Sequence, residues 1–394
     1  MVKIEYVDND KNKGIKVDWQ FIFKEYKKLG CPKNVFNPCH IPFNDTAYQI
    51  LLSERKTGKT TNVLLLGMLL FKHYGIIPQY IRASETMIMN KTIDELFKTV
   101  REFGYIEKIT DGQYNDVYYH ARKWSYCKTE NSEIVEKAPT HFMYCMSVDR
   151  SDYYKSSYNC PTGDFIIFDE FIGSRYRLNE FVFFMDLLST IIRKRTTAKI
   201  VMLANTIDKH SEYFNEFEIY DDIQLLEVGG KEIFTTELGT RIYIELIADK
   251  EESQIKQAFN KLYFGFKNPK MNSIKGGEWA TNNYPHIERG YKKLQNGVYI
   301  EYHDRLLALD IVEYDDIGLC LNCHKASKTY DDSIIYSLSE PKDRRYRYYM
   351  GIGDNLDKFI VSMVKRHKIR FQNNACGTIF FNHFNQKDAR KSGY

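Results

Sequence analysis

The sequence predicts an α/β protein whose larger part is a parallel sheet crossed by helices, and three observations predict it. Over the first 240 or so residues, strand-like apolar runs alternate with helix-like segments, the pattern of repeated crossovers. One strand-to-helix junction carries Gly58-Lys59-Thr60. A later apolar strand ends in the carboxylate pair Asp169-Glu170. At 394 residues the chain is also too long for one ordinary domain.

The elements follow in order. Ala47 to Leu52 (AYQILL) reads as a buried strand and Thr60 to His73 as a helix stopped near Gly75. Ile77 to Ala83 is strand-like; Lys91 to Phe103 has helical spacing of Ile93, Leu96, Phe97 and Val100 and ends at Gly104. Asp111-Gly112, a favoured tight-turn pair, predicts a hairpin. Strands are expected at His141 to Met146, Phe165 to Phe168 and Lys199 to Ala204, with an amphipathic helix from Asn179 to Ile192 between the last two. After Gly239 the character changes. Glu251 to Leu262 reads as a polar helix, and Phe264 to Ala280 is rich in Gly, Lys and Asn. From Ile287 onward the pattern is strand-rich: Gly297 to Tyr302 and Leu306 to Glu313 as adjacent strands, Leu356 to His367 as a helix, Thr378 to Phe381 in a last strand. The expected division is an α/β domain over residues 1–245, a linker or lid over 246–286, and an α+β domain over 287–394.

Composition narrows the function classes. With 43% hydrophobic residues, 27% charged and only 9 prolines, this is folded material. A net charge of +4 means that a nucleic-acid role must come from local basic patches. The 8 cysteines are scattered, which argues for a reducing cytosol and against a secreted disulfide scaffold. No signal peptide is expected behind Met1-Val2-Lys3-Ile4-Glu5. The longest apolar run, Val63 to Phe71, falls far short of the roughly 20 residues a spanning helix needs, so a membrane protein is not expected.

The strongest chemical signal is strand, then Ser53-Glu54-Arg55-Lys56-Thr57-Gly58-Lys59-Thr60-Thr61, then helix. A phosphate loop needs backbone N–H groups around the β-phosphate and a helix N-terminus aimed at it. It also needs a Lys for the β/γ oxygens and a hydroxyl for Mg²⁺, here Lys59 and Thr60. Ser53 departs from the pattern, which asks for Gly; a chance G-K-T at a helix start is the bland alternative. Phe165 to Phe168 followed by Asp169-Glu170 supplies the second half. Asp169 is placed to hold the metal and Glu170 to polarise an attacking water, although strands also end in ordinary solvated acids. Behind Lys199 to Ala204, Asn205 reads either as a γ-phosphate sensor or as a turn cap. Asn205-Thr206-Ile207-Asp208 partly matches a guanine-reading pattern, but its Lys is missing, so ATP with Mg²⁺ is the expected cofactor pair. Arg193-Lys194-Arg195 ends the helix after Asp169-Glu170, either complementing its dipole or offering an arginine finger to a neighbouring subunit.

With these motifs in order, the chain resembles the DNA-packaging (encapsidation) ATPases of the small short-tailed phages of the phi-twenty-nine group. These belong to the additional-strand, catalytic-glutamate P-loop ATPases (ASCE, FtsK/HerA-like). The resemblance covers most of the chain and rests on the phosphate loop with Arg55, Tyr80-Ile81-Arg82, Phe168-Asp169-Glu170-Phe171-Ile172, and the stretch from Ile192-Arg193-Lys194-Arg195 to Ala204-Asn205. It implies a homopentameric ring on the portal of an empty capsid that drives double-stranded DNA inward, in the host cytoplasm, docked on the procapsid and absent from the mature virion. It implies that Arg193 acts in trans. The family's basic residue after the Tyr-Ile-Arg strand has no counterpart in Ala83-Ser84-Glu85, and a segment up to about residue 40 is extra.

The resemblance also implies a vestigial ribonuclease-H-like C-terminal domain that docks on the portal or a structural packaging RNA. Glu301, Asp304, Asp310 and Glu313 lie near its first strands, but Ile369 to Asn374 offers amides where an acid would help a two-metal site, so no nuclease activity is expected. Its basic, aromatic runs contain the nucleic-acid or portal candidates Arg344, Arg345, Arg347, Lys365 and Arg366, beside Lys342, Tyr346, Tyr348, Tyr349, Lys368 and Arg370; a solvated surface is the plain alternative. A free Lys155 in the polar loop Asp149 to Asn159 is a candidate for the DNA channel. Cys320-Leu321-Asn322-Cys323-His324 matches a haem-attachment spacing, but buried thiols are the better account. A catalytically silent, nucleotide-gated scaffold and a cellular helicase or translocase remain as alternatives to the packaging motor.

Overall fold

Strands buried on both faces need a helix layer on each side, and the first part of the chain supplies them. The computed structural model describes residues 5–8, 13–53, 57–89, 93–172, 179–205, 211–248, 284–302, 305–330, 332–337, 341–347 and 355–389. These fall into two compact units, one up to Ala248 and one from Tyr284.

The first unit opens with the antiparallel pair β1 (Glu5–Asp8) and β2 (Lys13–Lys16), then helix α1 (Trp19–Lys28). Next come β3 (Tyr48–Ser53), α2 (Lys59–Tyr74), β4 (Gln79–Arg82), α3 (Lys98–Glu102), α4 (Tyr105–Ile109), β5 (Asp116–His120), β6 (Lys123–Glu130), β7 (Glu133–Ser147) and α5 (Ser151–Ser157). It continues with β8 (Phe165–Asp169), α6 (Glu180–Ile192), β9 (Lys199–Ala204), α7 (Glu212–Glu216), α8 (Tyr220–Leu225), β10 (Lys231–Thr235) and β11 (Arg241–Ile247). The nine-stranded sheet has the order β10-β11-β3-β9-β8-β4-β7-β6-β5. It is parallel from β11 through β7 and antiparallel at both edges.

Helix α2 is buried from Asn62 to Leu70, and it is apolar around its circumference because α1 also packs on it. Trp19 of α1 stacks on Phe43 with ring centroids 3.9 Å apart, and Trp19, Ile22, Phe23 and Tyr26 join the same core as Leu64 and Leu65. The segment that the resemblance leaves as extra is therefore part of this unit's core.

Several local expectations are corrected. Asp111-Gly112 does not close a hairpin: the Gly112 N–H bonds the Glu107 carbonyl at 2.8 Å, ending α4. The β5–β6 and β6–β7 hairpins turn at Ala121-Arg122 and Asn131-Ser132, all four residues at positive φ without a glycine. At Arg122 the cost of that backbone is offset by an ion pair to Glu85 at 2.5 Å and by packing over Tyr153. The expected helix before Gly104 is a 3₁₀ turn, Asp94–Phe97, followed by α3; residues 90–92 lie outside the described ones. The polar loop around Lys155 is the helix α5.

The second unit contains β12 (Tyr291–Tyr302), β13 (Arg305–Tyr314), β14 (Gly318–Lys325), β15 (Ile335–Ser337), β16 (Tyr346–Arg347), α9 (Asn355–Lys365), β17 (Ile369–Phe371) and α10 (Asn374–Ala389). Its sheet runs β16-β15-β12-β13-β14-β17. One face, with Ile300, Leu307, Leu309, Leu321 and Phe371, packs against Ile360, Val364, Ile379 and Phe380 of α9 and α10. Thr378 to Phe381, expected in a strand, is helical because Cys376, Ile379 and Phe380 face that core at helical spacing. Cys320 and Cys323 fall in separate hydrophobic clusters, on opposite faces of β14, so the C-x-x-C-H run cannot grip one group. Of the expected linker 246–286, Ile247 closes β11 and Tyr284 packs on Phe371; residues 249–283 lie outside the described ones.

Candidate nucleotide site

Parallel pairing sets neighbouring strands to end together, and this decides which side chains meet. In register, Leu52 of β3 lies beside Ala204 of β9, Asp169 of β8 beside Leu203, and Phe168 beside Ile81 of β4. Ser53, Asn205, Asp169 and Arg82 therefore emerge along one edge of the sheet, where α2 begins.

Gly58 precedes α2 at φ +79° and provides no capping side chain to the helix. A Cβ there would strain the backbone and stand 3.0 Å from Val35 Cβ. Ser53, which departs from the phosphate-loop pattern, is fully buried, and its Oγ hydrogen-bonds Thr57 Oγ1 at 2.7 Å across the loop. Glu54, Arg55 and Lys56 lie outside the described residues; Thr61 starts the helix beside Lys59 and Thr60.

Lys59 is buried and donates from Nζ to Asn205 Oδ1. Thr60 Oγ1 donates to Asp169 Oδ1 at 3.4 Å. Tyr80 donates its hydroxyl to Asp169 Oδ2 at 2.8 Å. Arg82 Nη1 lies 2.7 Å from Glu170 Oε2 and 4.0 Å from Asp169 Oδ2. Glu170 sits at φ +54° with its side chain 40% exposed, against 5% for Asp169. Burial pushes the Asp169 carboxyl above its ordinary range, while Arg82, the Tyr80 hydroxyl and Lys59 pull it back. Burial and Asp169 push the Tyr80 phenol well up, so it stays a donor at neutral pH.

A hydroxyl and a carboxylate are hard oxygen ligands suited to Mg²⁺, and an ammonium beside an uncapped helix N-terminus suits phosphate. The residues present fit a magnesium nucleotide. Tyr80 and Arg82, which the sequence marks through the resemblance but without a role, join the candidate site; the signal available for that role is a charged residue ending a buried strand.

Other candidates lie elsewhere. Arg193 is exposed beyond α6 and donates from Nη2 to the Tyr158 carbonyl at 2.9 Å; among the described residues it bonds neither Asp169 nor Glu170. Its neighbour Arg195 pairs with buried Asp164, which also accepts from Thr197 Oγ1 at 2.7 Å. Lys155 is not free: it pairs with Asp152 at 2.8 Å and Asp186 at 2.9 Å. Asn205 is the last residue described before 206–210, so Thr206 and Asp208 lie outside.

In the second unit, Arg344, Lys365 and Arg366 are exposed without an ion pair among the described residues. Arg345 binds Asp343 at 2.8 Å and Arg347 lies 3.8 Å from Asp357. Among the described residues, the carboxylates weighed for a nuclease are not gathered. Asp310 is held by Lys293 at 2.7 Å and His324 at 2.9 Å, while Glu301 binds Lys342 at 2.6 Å. Glu301 lies opposite Leu306, so Asp310 is about 13 Å farther along β13. Glu313 is exposed, and Asp304, Tyr348 and Tyr349 lie outside the described residues.

No protein-family model matches the sequence, and no curated protein matches it. Solved structures do. The chain is similar to that of the Phi-28 gp11 DNA packaging motor, at 16% identity and a TM-score of 0.52 over 92% of this chain and 99% of that one. It is similar to that of the bacteriophage Phi-29 viral genome packaging motor assembly, at 16% identity and a TM-score of 0.55 over 90% of this chain and 99% of that one. At these identities the likeness is one of fold, and the fold of this chain is that of the two packaging-motor proteins.

Proposed function

We propose that this protein is the ATPase of a viral genome-packaging motor, hydrolysing ATP to move double-stranded DNA through a portal into a preformed capsid. The observation that carries the reading is the meeting of Lys59, Thr60, Asp169 and the Arg82-bound Glu170 at one edge of the parallel sheet. The two solved motors with the same fold support the packaging role.

In this reading Lys59 and the loop N–H groups bind the phosphates, and Thr60 and Asp169 hold Mg²⁺, which supplies charge neutralisation to the transferred phosphoryl group. Tyr80 fixes one Asp169 oxygen, leaving the other toward Thr60. Glu170 orients the attacking water, and the Arg82 ion pair positions its carboxylate. Asn205, bonded to Lys59, senses the γ-phosphate through that ammonium. Arg193, exposed and away from its own site, serves a neighbour's site in a homo-oligomeric ring, taken as a pentamer. Portal, DNA and a structural packaging RNA are the partners, reached in the host cytoplasm at the procapsid, with Arg344, Lys365 and Arg366 as contact candidates and no nuclease activity.

Glu170→Gln tests the assignment. It is expected to bind Mg·ATP like the wild type while hydrolysis falls by a factor of about 10²–10⁴, the range for a lost general base. Wild-type turnover in that variant removes Glu170 from the reaction, and a wild type that hydrolyses nothing with or without duplex DNA removes the motor.

A further inference from the structure

We propose that the N-terminal segment ahead of β3 braces the phosphate loop, and that Tyr26 is a positioning residue for nucleotide binding acting through Asn62; this rests on the nucleotide-site reading above. Three contacts run from that segment to the loop. Tyr26, buried on α1, donates its hydroxyl to Asn62 Oδ1 at 2.6 Å. Asn62 Nδ2 donates in turn to the Gly58 carbonyl at 2.8 Å, the oxygen that also accepts the Asn62 backbone N–H at 3.0 Å. The Phe36 N–H donates to the Thr57 carbonyl at 2.8 Å. Val35 presses on the same turn, since a Cβ on Gly58 would stand 3.0 Å from Val35 Cβ and 3.1 Å from Asn62 Nδ2.

Peptide planarity turns these anchors into aim. The Gly58 carbonyl and the Lys59 N–H belong to one trans peptide plane and point in opposite directions. Holding that oxygen with two donors from Asn62 therefore fixes where the Lys59 N–H points. The Thr57 carbonyl and the Gly58 N–H form the preceding plane, fixed by Phe36 in the same way. Two successive loop N–H groups are thus oriented by bonds that trace back to Tyr26 and Phe36. A glycine-containing loop without such anchors spends part of its time with these groups misdirected, and ligand binding then has to order them. Tyr26 and Asn62 are both about 3% exposed, so water does not compete for their bond.

Tyr26→Phe removes the hydroxyl and keeps the ring. In the full-length protein its KM for Mg·ATP is expected to rise about fivefold with kcat unchanged, the signature of weakened ground-state binding. Amide hydrogen exchange over Thr57–Asn62, measured without nucleotide, is expected to speed up in Tyr26→Phe and in Asn62→Ala, and the double variant to match Asn62→Ala alone. Tyr74→Phe is the control: Tyr74 accepts the Asp18 N–H at 3.1 Å, tying the same segment to α2 away from the loop, so it should move neither readout. Unchanged exchange and KM in Tyr26→Phe overturn the proposal, as do equal shifts in Tyr74→Phe. Faster loop exchange in Tyr26→Phe, with a wild type that neither binds nor hydrolyses Mg·ATP, upholds the brace and overturns the nucleotide reading.

Discussion

Arg82 stands between two carboxylates with a side chain only 17% exposed, 2.7 Å from Glu170 and 4.0 Å from Asp169. Asp169 is buried, and Arg82 is the strongest influence holding its carboxyl down against desolvation. Removing that cation in Arg82→Ala raises the Asp169 pKa further, so the ionised carboxylate is present only at higher pH. ATPase activity of Arg82→Ala is expected to fall roughly tenfold at neutral pH, with the acidic limb of the pH–rate profile moving up. Arg82→Lys keeps a charge and should recover part of the loss; a pH profile that stays in place in both variants would remove Arg82 from the electrostatics. Lys59, Thr60, Asp169 and Asn205 are legible in the sequence because each ends or follows an element recognisable by its own period. Arg82 and Tyr80 are legible as strand residues and as part of the resemblance but not in their contacts, because the Asp169 that Tyr80 binds lies 89 positions later. Ser53 reads as a defect in a motif, yet its hydroxyl bonds Thr57 across the loop.

Helix α10 shows what packing does to a titrating side chain. His383 is 3% exposed between Tyr302 and Tyr336, with ring centroids 6.3 and 6.4 Å away, and burial lowers its pKa from 6.5 to about 4. The unfolded chain therefore takes up this proton first as the pH falls. Stability contributed by the neutral imidazole is complete above about pH 6.5 and is lost between there and about pH 4. The loss is of order 3 kcal/mol in full, and thermal melts of the wild type at pH 7.5 and 4.5 are expected to show a drop that His383→Gln lacks. Parallel drops in the two proteins would assign the effect to other groups. Within the same helix, Thr378 to Phe381 reads as a strand from sequence, since four residues of Thr, Ile and Phe satisfy a β pattern until their neighbours are counted. The hairpin turns at Ala121-Arg122 and Asn131-Ser132 carry no glycine and are invisible in the sequence for that reason; Glu85, far away along the chain, holds one of them.

At the scale of the whole molecule, the prediction concerns subunits acting on each other. Arg193 bonds the Tyr158 carbonyl and neither carboxylate of its own site, as a residue serving a neighbour would. In a ring with heterologous interfaces, Lys59→Ala and Arg193→Ala subunits are each expected to be inactive alone, down by about 10³ or more. Mixed one to one, about a quarter of the adjacent pairs combine an intact Lys59 with an intact Arg193, and turnover should recover to about that fraction. No recovery on mixing would place Arg193 in cis or outside the reaction. The sequence alone determined the α/β class, the helix start that carries Lys59, the strand tip that carries Asp169-Glu170, and the absence of a long apolar span, because each is written in a local period or a short motif. Only the tertiary structure decided the Arg82 and Tyr80 contacts, the paired state of Lys155 and the Tyr26–Asn62 bond. Each of these joins residues from different elements, and strand order and helix packing, not spacing along the chain, bring them within bonding distance.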